Sequence, residues 1–224
     1  MKNLLLLLVL SCPLWASTEC QTTFTNHNSA RIQFCVTANG NVLNLEGPPG
    51  WNQIDQNEGY AVCALDGSYG YWDLAGAGAS GWGDPVLSQP KGANTFPFTI
   101  TRQTLDGKFT LTQTFKLVSG GKSVGVTMGL VGPLSRLVRF AEVMPQTNQS
   151  GDHTSASAFV WTPSRNGLMA TPTANVQVNS AIVGGGVQNP CEPSGSDGNL
   201  AILLSWVLNP VKQTPAYFEY APMR

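Results

Sequence analysis

The residues best suited to ligand binding or chemistry lie between positions 51 and 84, where aromatic and acidic side chains alternate. Aromatic faces stack on the apolar faces of sugar rings, and neighbouring carboxylates accept hydrogen bonds from the sugar hydroxyls. The pattern therefore predicts a carbohydrate-binding site in this segment. The predicted ligand-binding residues are Trp51, Tyr71, Trp72, Asp73, Trp82 and Asp84.

The same rings also fit a hydrophobic core. Tyr60, Tyr71 and Trp72 would then be inward-facing strand residues that carry a polar group. Trp82 lies in a Gly-rich stretch, and we expect its ring to be exposed. The sequence alone leaves both interpretations open.

Catalysis on a polysaccharide is the alternative function that the acidic residues allow. Glycoside cleavage requires two carboxyl groups about 5 to 10 Å apart, one of them with a raised pKa. The candidate loop carboxylates are Asp55, Glu58, Asp73 and Asp84. Their spacing selects no pair, so we expect binding without chemistry and keep a hydrolase or lyase as the alternative. A structural envelope protein is a third function class.

Metal and cofactor motifs are weak. The stretch from Asp55 to Gly59 offers oxygen ligands at alternate positions but lacks the glycine and the glutamate that complete an EF-hand loop. It is predicted to form an Asx-rich turn. No C-x-x-C pair is present for zinc. The sequence predicts no metal site and no cofactor.

Four cysteines follow the N-terminal apolar segment, namely Cys20, Cys35, Cys63 and Cys191. An even number of cysteines in an oxidising compartment favours disulfides, and four allow three connectivities. We favour the local pair Cys20–Cys35, which would tie the N-terminal arm to the first strand. The remaining pair, Cys63–Cys191, would close a long loop and contribute about 4 to 5 kcal/mol in the chain-entropy model.

Residues 1–17 have the pattern of a secretory signal peptide. Lys2 precedes the apolar run from Leu4 to Leu10, and Ala16 and Ser17 provide the small residues of a cleavage site. The predicted location is therefore secreted or periplasmic. A second interpretation makes Cys12 the lipidated N-terminus of a lipoprotein.

Charged residues are scarce and nearly balanced. They make up 11% of the chain and leave a formal net charge of −1, whereas about 25% is usual. This excludes a basic nucleic-acid-binding surface and a basic membrane-binding helix, and no later segment is apolar for the roughly 20 residues of a membrane span. The expected partner is a glycan or another surface component, and the oligomeric state is not predicted.

Period-two alternation dominates the chain after residue 30. Arg31 to Thr37 alternates and is followed by Asn39-Gly40, which predicts a β-hairpin with a type I′ turn. Similar runs recur to the C-terminus without helical periodicity. The sequence predicts an all-β, antiparallel two-sheet sandwich of large, supersandwich-like size, forming a single domain over residues 18–224. Leu74 to Thr95 lacks alternation and is predicted to be an irregular loop.

Two charges interrupt the apolar run from Leu134 to Val143. They are Arg139 and Glu142. A charge inside a buried strand is costly unless it is paired. We expect a structural ion pair or placement at a sheet edge.

Five short stretches carry a recognisable combination of residues. They are Asn39-Gly40-Asn41, Pro48-Pro49-Gly50, Glu58 to Cys63, Thr101 to Gln113 and Leu137 to Glu142. Together they resemble a group of secreted bacterial proteins of unknown function whose sequences suggest a large β-sandwich. The resemblance implies the fold and the compartment and brings no activity with it. The last stretch tends to read Arg-Tyr-Ala-Asp-x-Asp in that group; here Glu142 and Met144 stand at the acidic positions, which implies a lost or altered site.

Overall fold

The computed structural model describes residues 20–25, 32–47, 51–52, 54–92, 95–118, 120–143, 149–154, 157–161, 167–172, 178–194, 199–208 and 215–223. The described residues form eighteen β-strands and no helix. Every strand pair is antiparallel, and the strands form three sheets. The predicted all-β, antiparallel fold class is confirmed.

The smallest sheet is N-terminal and has the order β1-β2-β3-β4. Its strands are β1 (Cys20–Thr25), β2 (Gln33–Thr37), β3 (Val42–Gly47) and β4 (Trp51–Asn52). The second sheet has six strands in the order β16-β17-β12-β5-β6-β7. These are β5 (Ile54–Cys63), β6 (Gly70–Leu74), β7 (Gly78–Ser80), β12 (Ser135–Val143), β16 (Val178–Gly184) and β17 (Leu200–Leu208).

The third sheet has eight strands in the order β13-β14-β15-β18-β11-β10-β9-β8. These are β8 (Val86–Ser88), β9 (Phe98–Gln103), β10 (Thr110–Val118), β11 (Ser123–Val131), β13 (Ser150–His153), β14 (Ala158–Trp161), β15 (Gly167–Pro172) and β18 (Ala216–Met223). The C-terminal strand β18 lies between β15 and β11, in the interior of the sheet.

The six-stranded and eight-stranded sheets pack face to face. Alternate residues of each strand point into one shared hydrophobic core, as strand geometry requires. The eight-stranded sheet contributes residues such as Phe98, Leu111 and Phe218 to this core. The six-stranded sheet contributes residues such as Leu137 and Trp206. The outward face of the eight-stranded sheet is instead rich in threonine, with Thr99 bonded to Thr114 at 3.0 Å across β9 and β10.

The hairpin of β2 and β3 inserts its turn into the interior of the sandwich. Asn39 and Asn41 are buried at the tip. Gly40 has a φ of 92°, while Asn39 is not in the positive-φ region. The hairpin prediction is confirmed, but the predicted type I′ turn is wrong, because such a turn requires positive φ at both central residues. The amide of Gly40 instead donates to the carbonyl of Thr37 at 3.0 Å.

The stretch from Leu74 to Thr95 is more ordered than predicted. It contains β7 and β8, and Trp82 forms an isolated antiparallel bridge with Thr104. The strands are only three residues long. Alternation cannot be recognised in so short a segment, which explains the wrong prediction of one irregular loop.

The outward face of the six-stranded sheet is covered by the segment between β16 and β17. Val187 and Cys191 of this segment pack on a second hydrophobic cluster that includes Val138, Phe140 and Leu203. Disulfides join Cys63 to Cys191 and, in the N-terminal sheet, Cys20 to Cys35. Both predicted pairs are confirmed.

The predicted signal peptide and the alternative lipid-attachment residue Cys12 lie outside the described residues. Among the residues that are described, no helix is long and apolar enough to cross a membrane. The two disulfides are consistent with an extracellular or periplasmic location.

Candidate functional site

A sealed ion pair lies in the core of the sandwich. Glu58 of β5 and Arg139 of β12 are both fully buried, with 2.6 Å between Oε1 and Nε. The other carboxylate oxygen of Glu58 accepts the amide of Val42 at 2.6 Å and the Nη2 of Arg139 at 2.9 Å. Tyr220 of β18 donates its hydroxyl to Glu58 at 3.3 Å. The predicted structural role of Arg139 is confirmed, with Glu58 as its partner.

A second buried pair lies near the first. Arg102 of β9 and Asp73 of β6 are joined at 2.5 Å, and Arg102 also donates to the Tyr60 hydroxyl at 2.9 Å. The amides of Asn39 and Asn41 donate to the two carboxylate oxygens of Asp73 at 2.9 and 2.6 Å. Both oxygens of this carboxylate therefore accept hydrogen bonds from protein donors.

The two ion pairs together hold the buried hairpin turn. The carbonyl of Asn39 accepts the Tyr60 hydroxyl at 2.9 Å and the Gln113 side-chain amide at 3.3 Å. The carbonyl of Gly40 accepts Nη2 of Arg139 at 3.1 Å. A turn buried away from water must have its carbonyls satisfied in this way. The network is thus explained by the architecture of the fold.

The carboxylates considered for catalysis are arranged differently from the prediction. Glu58 and Asp73 lie in strands, not in loops, and both are sealed from solvent. Burial raises the pKa of Glu58 to about 7, against the opposing effect of Arg139, and burial also raises the pKa of Asp73. A raised carboxyl pKa is typical of a general acid, but neither group can reach a substrate from inside the core.

The raised pKa of Glu58 predicts that the protein is more stable at acidic pH. The pKa of Glu58 is about 7 in the folded protein and 4.5 for an exposed glutamate, so the folded state binds the proton more tightly than the unfolded state. The stabilisation is complete below pH 4.5 and is lost as the pH rises through 7. Urea unfolding between pH 5 and pH 8 should show a falling free energy of unfolding. A flat or rising profile, or an unchanged slope in Glu58→Gln, would contradict this assignment.

Two of the predicted aromatic residues, Trp82 and Tyr71, are wholly or partly covered by other parts of the sandwich. Trp82 has 2% of its surface exposed, and its ring packs edge-on against Tyr60 at 5.5 Å between centroids. The prediction that Trp82 is exposed is wrong, because the bridge to Thr104 draws the Gly-rich stretch onto the sandwich. Tyr71 is half-buried and donates to Asp106 at 2.6 Å.

The remaining predicted residues have different surroundings. Trp72 is half-buried on the outward face of the six-stranded sheet, and Asp84 is exposed between β7 and β8. Trp51 lies in β4 and Asp55 in β5, but the side chains of both are outside the described part. The Asx-rich turn predicted at Asp55 to Gly59 is wrong, because this segment belongs to β5.

Glu142 fixes the segment that covers the outward face. Its carboxylate accepts the amide of Gly186 at 2.9 Å and the side-chain amides of Asn57 and Asn199 at 3.1 and 2.9 Å. Glu142 is three residues from Arg139. Because side chains alternate between the two faces of a strand, Glu142 lies on the opposite face of β12. The two charges of this strand therefore have separate partners and separate structural roles.

A surface cavity of about 300 Å³ lies at the end of the six-stranded sheet. One wall is the turn after β5, with Leu65, Gly67 and Tyr69, and the other is the segment that carries the second half of the Cys63–Cys191 disulfide. The complete lining comprises Cys63, Ala64, Leu65, Gly67, Tyr69, Gly70, Arg136, Asn189, Cys191 and Glu192. This volume is at the lower end of the range for small-molecule sites, about 300 to 1,000 Å³.

The cavity combines an aromatic ring with polar side chains. Arg136 is held in place by a 2.6 Å bond from Nη2 to the carbonyl of Cys191. The side-chain oxygen of Asn189 accepts the amide of Cys191 at 3.0 Å. The Tyr69 ring is in contact with the ammonium of Lys108, 3.4 Å from the ring centroid, and with the rings of Tyr71 and Phe109 at 5.5 and 5.7 Å between centroids. A ligand would meet only the part of the ring that these neighbours leave uncovered.

Sequence reasoning identified only part of this cavity. Tyr69 belongs to the aromatic segment, whereas Arg136, Asn189 and Glu192 come from distant parts of the chain. Arg136 is directly opposite Cys63 in the register of β12 and β5. The Cys63–Cys191 pairing was the one sequence signal that placed the 189–192 segment beside the turn after β5.

The fold is a large antiparallel β-sandwich that also forms part of longer proteins. No family model and no curated protein matches the chain. A bacterial glucoamylase complexed with acarbose superposes with a TM-score of 0.63 at 10% identity, over 94% of this chain and 33% of that one. A heparan sulfate lyase from Pedobacter heparinus superposes with a TM-score of 0.57 at 10% identity, over 94% of this chain and 36% of that one. The chain spans about a third of each structure, and the likeness shows the fold.

Proposed function

We propose that this protein is a secreted, non-catalytic module that binds a carbohydrate in the cavity at the end of the six-stranded sheet. The observation that carries the proposal is the cavity lining, which places Tyr69, Arg136 and Asn189 around one opening. An aromatic ring with a few convergent polar groups is the usual composition of a sugar-sized site.

The surrounding surface extends the site beyond the cavity. Trp72 is two residues from Gly70 on β6 and therefore on the same face, about 7 Å further along the strand. The sheet register places Trp72 next to Ala61 and Ser80. A chain of sugar rings that enters the cavity could continue across Trp72, which keeps this residue among the proposed ligand contacts.

One further observation supports a carbohydrate ligand, and a second one supports binding without cleavage. The structures that share this fold include a glucoamylase with bound acarbose and a heparan sulfate lyase. Glu58 and Asp73, the acids considered for catalysis, are committed to Arg139 and Arg102 inside the core. The exposed Asp84 lies in a separate loop.

The glycan-binding site predicts a specific loss in Tyr69→Ala. We expect saturable retention of the purified chain on an array of oligosaccharides, and an affinity about tenfold lower in the variant, which corresponds to about 1.4 kcal/mol. Titration calorimetry with the best array ligand measures the change. Trp72→Ala should give a smaller loss, because Trp72 lies outside the cavity.

Tyr217→Ala is the matched control for this experiment. Tyr217 is a half-buried tyrosine on the outward face of the other sheet, with Lys116 4.7 Å from its ring centroid. It should leave the affinity unchanged. Equal losses in both tyrosine variants, or no retention of the unmodified chain, would overturn the proposal. Release of reducing ends from a bound polysaccharide would favour the hydrolase, and new unsaturated ends the lyase.

A further inference from the structure

We infer that the cavity selects an anionic sugar, with Arg136 as the residue that recognises its carboxylate or sulfate group. This inference rests on the proposed carbohydrate binding and adds the class of ligand. The guanidinium presents planar, charge-assisted donors, which match the oxygens of a carboxylate or a sulfate.

The guanidinium of Arg136 has few hydrogen-bond partners within the described part of the protein. Among the described residues, its bonding is limited to the Nη2 contact with the carbonyl of Cys191, and no carboxylate forms a salt bridge with it. Its Nε is buried and has no hydrogen-bond partner in the part of the chain that the structure describes. A buried cationic donor without a partner is costly, so an anion that satisfies the guanidinium gains more here than on an open surface.

The contrast with the two core arginines supports this role. Arg102 and Arg139 each have a carboxylate partner within 2.6 Å. Arg136 is the second residue of β12. Its side chain lies on the face opposite to that of Arg139, where the cavity opens. The core pairs are explained by the buried turn, whereas Arg136 has no carboxylate partner among the described residues.

The rim of the cavity sets the size and polarity of the ligand. Leu65 lines the cavity and is 55% exposed. Val207 lies outside the lining but is directly opposite Arg136 in the register of β12 and β17, and it is 48% exposed. These apolar side chains can cover one face of a sugar ring while Arg136 binds its acidic group. Among the described residues that line the cavity, Glu192 is the one carboxylate, and it favours ligands whose acidic group lies on the Arg136 side.

The inference is tested by comparing three oligosaccharides of similar length on the full chain. Oligogalacturonate carries carboxylates, a heparan sulfate oligosaccharide carries carboxylates and sulfates, and maltotetraose is neutral. We expect at least one acidic ligand to bind about tenfold or more tightly than maltotetraose, with an affinity that falls as the salt concentration rises. The Arg136→Gln variant should lose both the preference for acidic ligands and the salt dependence. The Glu192→Gln variant should show a stronger preference for acidic ligands.

Controls separate recognition from folding and from general electrostatics. Arg136→Lys retains the charge but not the planar donors and should bind with intermediate affinity. Lys122→Gln removes an exposed charge in the turn between β10 and β11 and should leave the affinity and the preference for acidic ligands unchanged. Equal affinity for neutral and acidic ligands, or an unchanged preference in a folded Arg136→Gln, would overturn the inference and leave the proposed function intact. Failure of all three ligands and of the wider array would overturn both.

Discussion

Replacing Arg139 with methionine is expected to lower the free energy of unfolding by about 3 to 5 kcal/mol, because it leaves the carboxyl group of Glu58 inside the core without its charged partner. Glu58 is fully buried beside it, and the carbonyl of Gly40 and the side chain of Gln113 lose a donor at the same time. Urea unfolding at pH 7 measures the change. Lys122→Met, which removes an exposed charge, should change stability by less than about 0.5 kcal/mol.

The loss in Arg139→Met should depend on pH. Without Arg139 the pKa of Glu58 rises further, since burial then acts without its opposing partner. The loss should therefore be larger at pH 8 than at pH 5, where Glu58 can take up a proton. Adding Glu58→Gln to Arg139→Met removes the buried charge but keeps an oxygen for the amide of Val42, and should recover part of the stability. A loss that is small at both pH values would contradict the sealed ion pair.

Removal of the Cys63–Cys191 disulfide is expected to have the second large effect. The bridged residues are 128 positions apart, for which the chain-entropy model gives a loss of about 5 kcal/mol. The double variant Cys63→Ser, Cys191→Ser should also weaken ligand binding, since Cys191 carries the cavity wall and accepts the bond from Arg136. Urea unfolding and the calorimetric titration measure the two effects.

The other disulfide provides the control within the same chain. Cys20 and Cys35 are 15 positions apart, for which the same model gives about 3 kcal/mol. The double variant Cys20→Ser, Cys35→Ser should lose less stability and leave ligand binding unchanged. Equal losses in stability together with equal losses in binding would contradict the assignment of the cavity wall to the Cys63–Cys191 bridge.

The fold could be predicted from the sequence because its signals are local. Alternation in β9 and β10, the Asp106-Gly107 turn between them and the Asn39-Gly40 hairpin all lie within a few residues. The short strands β7 and β8 carry too few residues to show a period. These two segments are strands because they pair with β6 and β9, and such tertiary contacts are not visible in the local sequence.

The candidate site could not be predicted to the same extent, because its residues are joined only in three dimensions. Aromatic composition drew attention to Trp82, yet its exposure depends on the bridge to Thr104. An isolated arginine such as Arg136 gives no sequence signal of a site. Its partners at positions 189 to 192 are more than fifty residues away, and a register and a disulfide bring them together.

The position of β18 also determines the order in which this protein can fold during synthesis. Tyr220 bonds to Glu58 across 162 residues, and β18 fills the gap between β11 and β15. The two parts of the eight-stranded sheet cannot join until β18, which follows all their other strands in the sequence, has been synthesised. Such long-range pairing slows folding and exposes unpaired strand edges meanwhile. Chains that lack β18 should accumulate as aggregates, because β11 and β15 would then each keep an unpaired edge.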